Sequence, residues 1–286
     1  MDAIQTKGLT KYYGKARGIL DVNLTVAQGE FFGFIGPNGA GKSTTIKCIL
    51  NLIRRDGGTI RVLGMDNLQE ERSAKEAIGV VLDESTFHDT LRPTEVGQVL
   101  KHLYKSWDAP LFAQYLDKFG LPRKKTIKEF SKGMKTKLSI AAALSARPRL
   151  LILDEATSGL DPVVRDEILD EFLTFIQDED HAVLISSHIT SDLEKAADYV
   201  TYLHRGRVAV QGAKDELLET YGRLACAKAD LERVDPALLV GRRVGQFGCE
   251  ALVKDRRAFC RLYPELTVDR VSLEDIMVFT VKGDVQ

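Results

Sequence analysis

The residues best suited to chemistry form one glycine-rich stretch near the N-terminus. It reads Gly36-Pro37-Asn38-Gly39-Ala40-Gly41-Lys42-Ser43, followed by Thr44. The stretch fits the pattern G-x-x-x-x-G-K-[ST] in full. Its glycines let the backbone curl so that successive N–H groups point at phosphate oxygens. Lys42 adds a positive charge for the β- and γ-phosphates, and Ser43 offers a hydroxyl to Mg²⁺. This phosphate loop (residues 36–43) predicts a site for ATP and Mg²⁺.

Two carboxylates follow a short apolar segment later in the chain. Leu150 to Leu153 are all apolar, and Asp154 and Glu155 come directly after them. Such a run predicts a buried central strand, and the carboxyl ends of strands are where open α/β sheets place ligands. Asp154 is suited to contact Mg²⁺, and Glu155 could polarise an attacking water molecule.

Predicted strands that alternate with predicted helices must position these residues. Phe31 to Ile35 predict a buried strand before the phosphate loop, and residues 46–53 carry apolar side chains at helical spacing. Further short apolar runs predict strands at 78–82, 150–153 and 182–186. Strands that alternate with helices indicate an α/β fold with a largely parallel sheet. Residues 88–146 interrupt the alternation and predict an inserted helical subdomain.

A change in composition divides the chain into two parts. The composition changes after about Tyr221 towards short, arginine-rich segments. We therefore predict one domain over residues 1–221 and a small α+β accessory domain over residues 222–286.

Composition excludes several other classes of protein. The 286 residues carry a net charge of about -1, so charge gives no reason to expect a nucleic-acid partner. The four cysteines form no C-x-x-C pair, which fits a reducing compartment. The first residues show no secretion signal. No segment approaches the ~20 apolar residues that cross a bilayer, so a role at a membrane would require a partner chain.

The phosphate loop and the acidic pair are accompanied by further motifs in the order that one family shows. Over about residues 4–215 the chain resembles the nucleotide-binding domain of ATP-binding-cassette (ABC) transporters. Phe130-Ser131-Lys132-Gly133-Met134 stands where the family has its signature L-S-G-G-Q. Ser158-Gly159-Leu160-Asp161 resembles the D-loop. His188 resembles the switch histidine, and Tyr13 resembles the aromatic residue that stacks on adenine. The resemblance implies a P-loop NTPase core with a mixed, largely parallel sheet and an antiparallel β segment.

Three residues depart from the family pattern. Lys132 and Met134 replace a small residue and a glutamine in the signature segment (residues 130–134), while Ser131 and Gly133 are retained. Asp83 stands where the family usually has a glutamine, and as a carboxylate it could approach Mg²⁺. The alternative is ordinary variation without functional consequence.

The resemblance also implies a mechanism and partners. Two such domains face each other head to tail, and each ATP lies between the phosphate loop of one and the signature of the other. Glu155 aligns water, while Ser131, Gly133, Asp161 and His188 complete the site. A separate permease subunit would hold this homodimer or heterodimer at the cytoplasmic face of the membrane. The K-G-M signature and Leu273-Glu274-Asp275-Ile276 resemble ATPases of bacterial export-type, ABC-2-like systems.

Two rival functions stay open at this point. The first is a soluble ABC ATPase of translation or DNA repair, although those members carry two cassettes, coiled coils or zinc sites. The second is a nucleotide sensor that uses ATP only to dimerise. Intact Lys42, Asp154, Glu155 and His188 argue against the second rival.

Overall fold

The structure is a computed structural model that describes residues 1–14, 16–83, 86–246 and 248–282. Its strands are β1 (Asp2–Tyr13), β2 (Ala16–Ala27), β3 (Phe31–Ile35), β4 (Gly57–Val62), β5 (Met65–Asp66), β6 (Ile78–Val81), β7 (Leu150–Asp154), β8 (Ala182–Ser187), β9 (Tyr199–His204), β10 (Arg207–Ala213), β11 (Gly222–Cys226), β12 (Leu239–Val244), β13 (Cys249–Val253) and β14 (Val268–Asp269). Its α-helices are α1 (Lys42–Ile49), α2 (Glu71–Glu76), α3 (Pro93–Leu103), α4 (Ala109–Lys118), α5 (Lys132–Ser145), α6 (Pro162–Phe175), α7 (Thr190–Ala196), α8 (Lys214–Thr220), α9 (Lys228–Arg233), α10 (Arg256–Leu262) and α11 (Leu273–Lys282).

The central sheet has the strand order β10-β9-β3-β8-β7-β6. Strands β9, β3, β8, β7 and β6 run parallel, and β10 pairs antiparallel with β9. Every residue of β3, β7 and β8 is buried, as expected for continuous apolar strands covered on both faces. The predicted α/β fold is confirmed. Because these three strands are parallel neighbours, the phosphate loop, the Asp154–Glu155 pair and His188 all follow the same edge of the sheet.

An antiparallel sheet of order β2-β1-β4-β5 accompanies the central sheet. Its apolar face, which includes Ile4, Ile19 and Ile60, shares one buried cluster with Phe32 of β3 and Ile46 of α1. This packing fixes α1 between the two sheets. The hairpin predicted at Tyr199–Val210 is also present, since β9 and β10 flank the turn at Arg205 and Gly206.

Helices α3, α4 and α5 account for most of the interval in which a helical insertion is predicted. Proline opens α3 at its first turn, where a missing N–H costs nothing. Asp108 caps α4 by accepting a hydrogen bond from the backbone N–H of Leu111. Phe112 and Leu116 of α4 belong to the same buried cluster as Leu138 of α5. These contacts attach α5, which begins inside the signature segment, to the helices before it.

The C-terminal residues form a third sheet of order β12-β13-β11-β14 with its own apolar cluster around Leu224 and Phe259. Helix α11 behaves differently, because its residues Leu273, Ile276 and Phe279 are buried in the cluster that contains the main helices. The backbone N–H of Leu273 donates to Glu194 Oε1 of α7 at 2.6 Å. The predicted accessory unit therefore contacts the ATP-binding part through α11, and residues 283–286 lie outside the described residues.

Within the described ranges, no helix combines the length and the apolar character that crossing a bilayer requires.

Candidate functional site

The phosphate loop turns sharply between β3 and α1, and two glycines make that turn possible. Gly41 precedes α1 with φ of 110°, a conformation that L side chains rarely adopt. A Cβ atom at Gly41 would lie 2.5 Å from Ile19 Cγ2, and one at Gly36 would lie 2.5 Å from the backbone oxygen of Leu203. Both positions thus require glycine. Helix α1 begins at Lys42, so its N-terminal N–H groups face the loop.

The side chain of Lys42 is buried and contacts oxygen acceptors. Its side chain is 5% exposed, and its Nζ donates to the backbone oxygen of Gly36 at 2.6 Å. Glu155 Oε1 lies 3.2 Å from the same Nζ. The ammonium group and the proposed water-aligning carboxylate are therefore in direct contact across the edge of the sheet. A triphosphate bound in the loop would compete with Glu155 for this charge.

Asp154 ends β7 and is buried. Ser186 Oγ, from the neighbouring strand β8, donates to Asp154 Oδ1 at 2.6 Å and so fixes the orientation of the carboxylate. A carboxylate and the hydroxyl of Ser43 are hard oxygen donors of the kind that Mg²⁺ accepts together with substrate phosphates. No group of three or more His, Cys, Asp or Glu side chains in the described ranges could hold a metal ion. The donor set fits an ion completed by phosphate oxygens.

Glu155 has a strained backbone, with φ of 53° in the left-handed region. Such strain costs about 1–3 kcal/mol and persists where surrounding contacts impose it. Here the backbone N–H of Glu155 lies 3.1 Å from the oxygen of Ser186 and 3.2 Å from its Oγ. The side chain then reaches both Lys42 and His188, whose Nδ1 is 2.6 Å from Glu155 Oε2. Lys42, Glu155 and His188 form one cluster of contacting side chains.

Tyr13 lies beside the start of α1. Its hydroxyl is 3.5 Å from Thr44 Oγ1, and half of the side chain is exposed. Lys11 Nζ lies 5.9 Å from the centre of the Tyr13 ring. An exposed aromatic face next to the phosphate loop is available for stacking, and the adenine-contacting role of Tyr13 stays a prediction.

Ser131 and Asp161 occupy the N-terminal caps of two helices. Ser131 Oγ accepts from the backbone N–H of Met134 at 3.2 Å, and Asp161 Oδ1 accepts from that of Val164 at 3.1 Å. No hydrogen bond or ion pair among the described residues joins either cap, or Gly133, to the Lys42–Glu155–His188 cluster. The structure of one chain thus leaves the two predicted halves of the ATP site separate.

Two departures from the family pattern contact each other. Asp83 Oδ1 lies 2.9 Å from Lys132 Nζ, and about half of each side chain is exposed. Exposed ion pairs of this kind contribute about 0–1 kcal/mol. The pair therefore holds Asp83 only weakly, and the prediction that Asp83 contacts Mg²⁺ is neither supported nor opposed by it.

Three buried polar residues near the cluster had no assigned role in the sequence. Ser186 holds Asp154 and Glu155, and the polar Ser186–Ser187 end of an otherwise apolar strand was a usable signal. Thr157 Oγ1 donates to Asp192 Oδ2 at 2.8 Å. Burial raises the pKa of Asp192 above its ordinary value, while the hydrogen bond from Thr157 opposes that shift. No local pattern indicated this second pair.

A family model and several known proteins are similar to this chain. The family model described as ABC transporter matches residues 19–158. The daunorubicin/doxorubicin resistance ATP-binding protein DrrA of Streptomyces peucetius is 34% identical, over 93% of this chain and 85% of its own. The bacitracin transport ATP-binding protein BcrA of Bacillus licheniformis is 34% identical, over 75% of this chain and 71% of its own.

A solved structure supports the same conclusion. The ATP-binding subunit of an ABC transporter aligns with a TM-score of 0.69 and 28% identity, covering 75% of this chain and 91% of that one. The phosphate loop, the acidic pair after β7 and the relatives all indicate the same family. The chain belongs to the ABC transporter family, in which it is an ATP-binding subunit that hydrolyses ATP.

Proposed function

We propose that this ATPase powers a separate membrane permease that exports its cargo. The observation that carries the catalytic part is the contact of Lys42 and His188 with Glu155 at the end of β7. The export direction rests on the relatives, which include the resistance protein DrrA and the lantibiotic transport ATP-binding protein SrtF of Streptococcus pyogenes. In this proposal the chain acts at the cytoplasmic face of the membrane.

The cluster supplies what phosphoryl transfer to water needs, which is mainly position and charge. Lys42 neutralises the β- and γ-phosphates, and Glu155 accepts a hydrogen bond from the attacking water. His188, in contact with Glu155 through Nδ1, keeps its other ring nitrogen available to the γ-phosphate. Ser43 and Asp154 would hold Mg²⁺, which would supply positive charge against the phosphates. Tyr13 would stack on the adenine ring.

The other half of the site comes from a second subunit in this proposal. Ser131 and Gly133 lie at the N-terminus of the 14-residue helix α5, where backbone N–H groups favour an anion. Asp161 stands at the corresponding end of α6. A head-to-tail homodimer or heterodimer would bring these residues to the ATP that Lys42 holds. Binding of ATP would then close the dimer, and hydrolysis would open it.

The partner can be tested by co-expression with any integral membrane protein that a gene next to this one encodes. We expect the two to co-purify in detergent and the ATPase rate to change when the permease is present. Lys42→Ala in the same complex serves as the control, because it should still co-purify while its ATPase rate falls. A chain that never associates with the membrane protein, yet hydrolyses ATP alone, would favour the soluble ABC ATPase instead.

Asp83 provides a test of the metal assignment. A carboxylate near a triphosphate is unfavourable unless a cation is present, so Asp83 should make ATP binding more dependent on Mg²⁺. We expect Asp83→Asn to weaken this dependence. The measurement is ATP affinity over a Mg²⁺ titration for both proteins.

A matched control is an aspartate that pairs with a lysine of the same helix, α5. Asp89 pairs with Lys135 of α5 at 2.8 Å, much as Asp83 pairs with Lys132. Asp89→Asn should leave the Mg²⁺ dependence unchanged. Superimposable titrations for wild type and Asp83→Asn would remove Asp83 from the metal site.

We also propose that residues 222–286 act as an accessory unit of the ATPase. Support comes from the separate apolar cluster of β11–β14 and from the packing of α11 against α7. Helix α7 begins two residues after His188, so the unit is attached close to the catalytic cluster.

A further inference from the structure

Asp192 is a buried carboxylate that the proposed chemistry does not use. It lies in α7, four residues after His188, and is 4% exposed. A charge removed from water is costly unless it is paired and hydrogen-bonded. Thr157 Oγ1 donates to Asp192 Oδ2 at 2.8 Å, and Arg165 Nη1 lies 3.9 Å from Asp192 Oδ1. Both partners belong to the chain segment between β7 and the first turn of α6, so Asp192 joins α7 to that segment.

The contact adds a buried link between two stretches of chain that Glu155 already joins through Ser186 and His188. The contact of Glu155 with His188 is 2.6 Å long, and His188 is 45% exposed. Thr157 and Asp192 are both buried. Two segments joined at a single point can still rotate relative to each other about that point. A further contact at a different point restricts this rotation. The buried pair therefore adds a constraint on the angle at which His188 meets Glu155.

The D-loop (residues 158–161) follows Thr157 directly, and its other side packs against α5. A Cβ atom at Gly133 would lie 3.4 Å from Leu160 Cδ2, and one at Gly159 would lie 3.7 Å from Lys132 Cδ. Arg165 Nη2 donates to the backbone oxygen of Leu160 at 3.2 Å. The D-loop thus lies between the signature helix α5 and the Asp192 contact of α7.

We propose that Asp192 is a positioning residue for hydrolysis. By binding Thr157, it fixes the spacing between Glu155 and His188 and carries any movement of the D-loop to α7. This inference rests on the proposed catalytic roles of Glu155 and His188. Its consequence is specific: loss of the contact lowers the turnover number and leaves ATP binding intact, because the side-chain contacts of both residues go to each other and to Arg165 and not to the phosphate loop.

The test uses the full chain and begins with a substitution that keeps the shape of the side chain. Thr157→Val removes only the hydroxyl, and we expect kcat to fall by about tenfold to 10²-fold, the scale of small misplacements of catalytic groups. The KM for ATP should stay within about twofold of wild type, since binding groups are untouched. Asp192→Ala should match Thr157→Val, while Asp192→Asn, whose amide oxygen still accepts from Thr157, should recover most of the rate.

Thr201 provides the matched control. It is a fully buried threonine of β9 whose Oγ1 has no hydrogen-bond partner within the described ranges. Thr201→Val should therefore keep kcat and KM at wild-type values. If Thr201→Val slowed turnover as much as Thr157→Val, loss of a buried hydroxyl in general would explain the result and the proposal would fail.

A double-mutant cycle completes the test. Residues that act through one contact are not additive, so Thr157→Val should slow Asp192→Ala little further. Full additivity, or a wild-type kcat for Thr157→Val, would overturn the proposal. Glu155→Gln measured alongside separates the two hypotheses. Normal turnover in that variant refutes the proposed catalytic roles, whereas a slow Glu155→Gln with a normal Thr157→Val refutes only the role of Asp192.

Discussion

Glu155→Gln is expected to slow ATP hydrolysis by about 10²-fold or more, the scale of losing general-base assistance. The amide keeps the shape of the side chain but cannot take the proton of the attacking water. Glu155 Oε1 also lies 3.2 Å from Lys42 Nζ, so the neutral amide removes an anion that competes with phosphate for this cation. ATP affinity should therefore equal or exceed that of wild type. Phosphate release and equilibrium nucleotide binding measure the two effects.

Glu167→Gln is the control, because Glu167 is an exposed glutamate on α6. It should behave as wild type in both assays. The Glu155→Gln protein should also accumulate as an ATP-bound dimer, visible by size-exclusion chromatography with ATP present. Near-normal turnover in Glu155→Gln would show that another group aligns the water.

Lys42→Ala is expected to weaken ATP binding by roughly tenfold to a hundredfold. Charge-assisted hydrogen bonds contribute about 1.5–3 kcal/mol each, and Lys42 is the cation that the phosphate loop holds at its centre. The substitution also leaves Glu155 without its neighbouring positive charge, so hydrolysis should fall further than binding. Nucleotide titration and phosphate release test the two expectations. Lys47→Ala, which changes an exposed lysine of the same helix, should leave both unchanged.

Mixing two inactive variants tests whether the site is shared. Ser131→Arg places a bulky cation at the N-terminus of α5, and Lys42→Ala disables the phosphate loop. In a head-to-tail heterodimer of these two chains, one of the two sites combines an intact Lys42 with an intact Ser131. Partial recovery of hydrolysis on mixing is expected. Full activity of each variant alone would contradict the head-to-tail arrangement.

Much of the ATP-binding fold could be predicted because its signals are local. The apolar runs before Gly36 and Asp154 mark buried parallel strands, and they became β3 and β7. Asp161 followed by Pro162 marks the beginning of a helix, and Asp161 indeed caps α6. The conformation of the phosphate loop is equally local, since Gly41 has a φ of 110°, which L side chains rarely adopt. Such features depend on neighbouring residues alone.

Other features depend on residues that are far apart in the chain. Asp83 and Lys132 are separated by 49 positions, and their ion pair exists only because α5 passes the loop after β6. Asp154 and Ser186 meet because β7 and β8 are adjacent in the sheet. The packing of α11 against α7 likewise could not be read from the composition of residues 222–286. Each contact required the strand order and the helix packing first.

The sequence by itself determined that this chain binds a triphosphate, which strands would carry the acidic pair, and to which family it belongs. Those conclusions rest on short motifs whose backbone conformation and charge are set by adjacent residues. Only the tertiary structure decided that Glu155 contacts both Lys42 and His188, and that buried Asp192 holds Thr157. The reason is physical. The packing of whole strands and helices determines which side chains meet at the edge of a sheet, and a local pattern of residues does not contain that information.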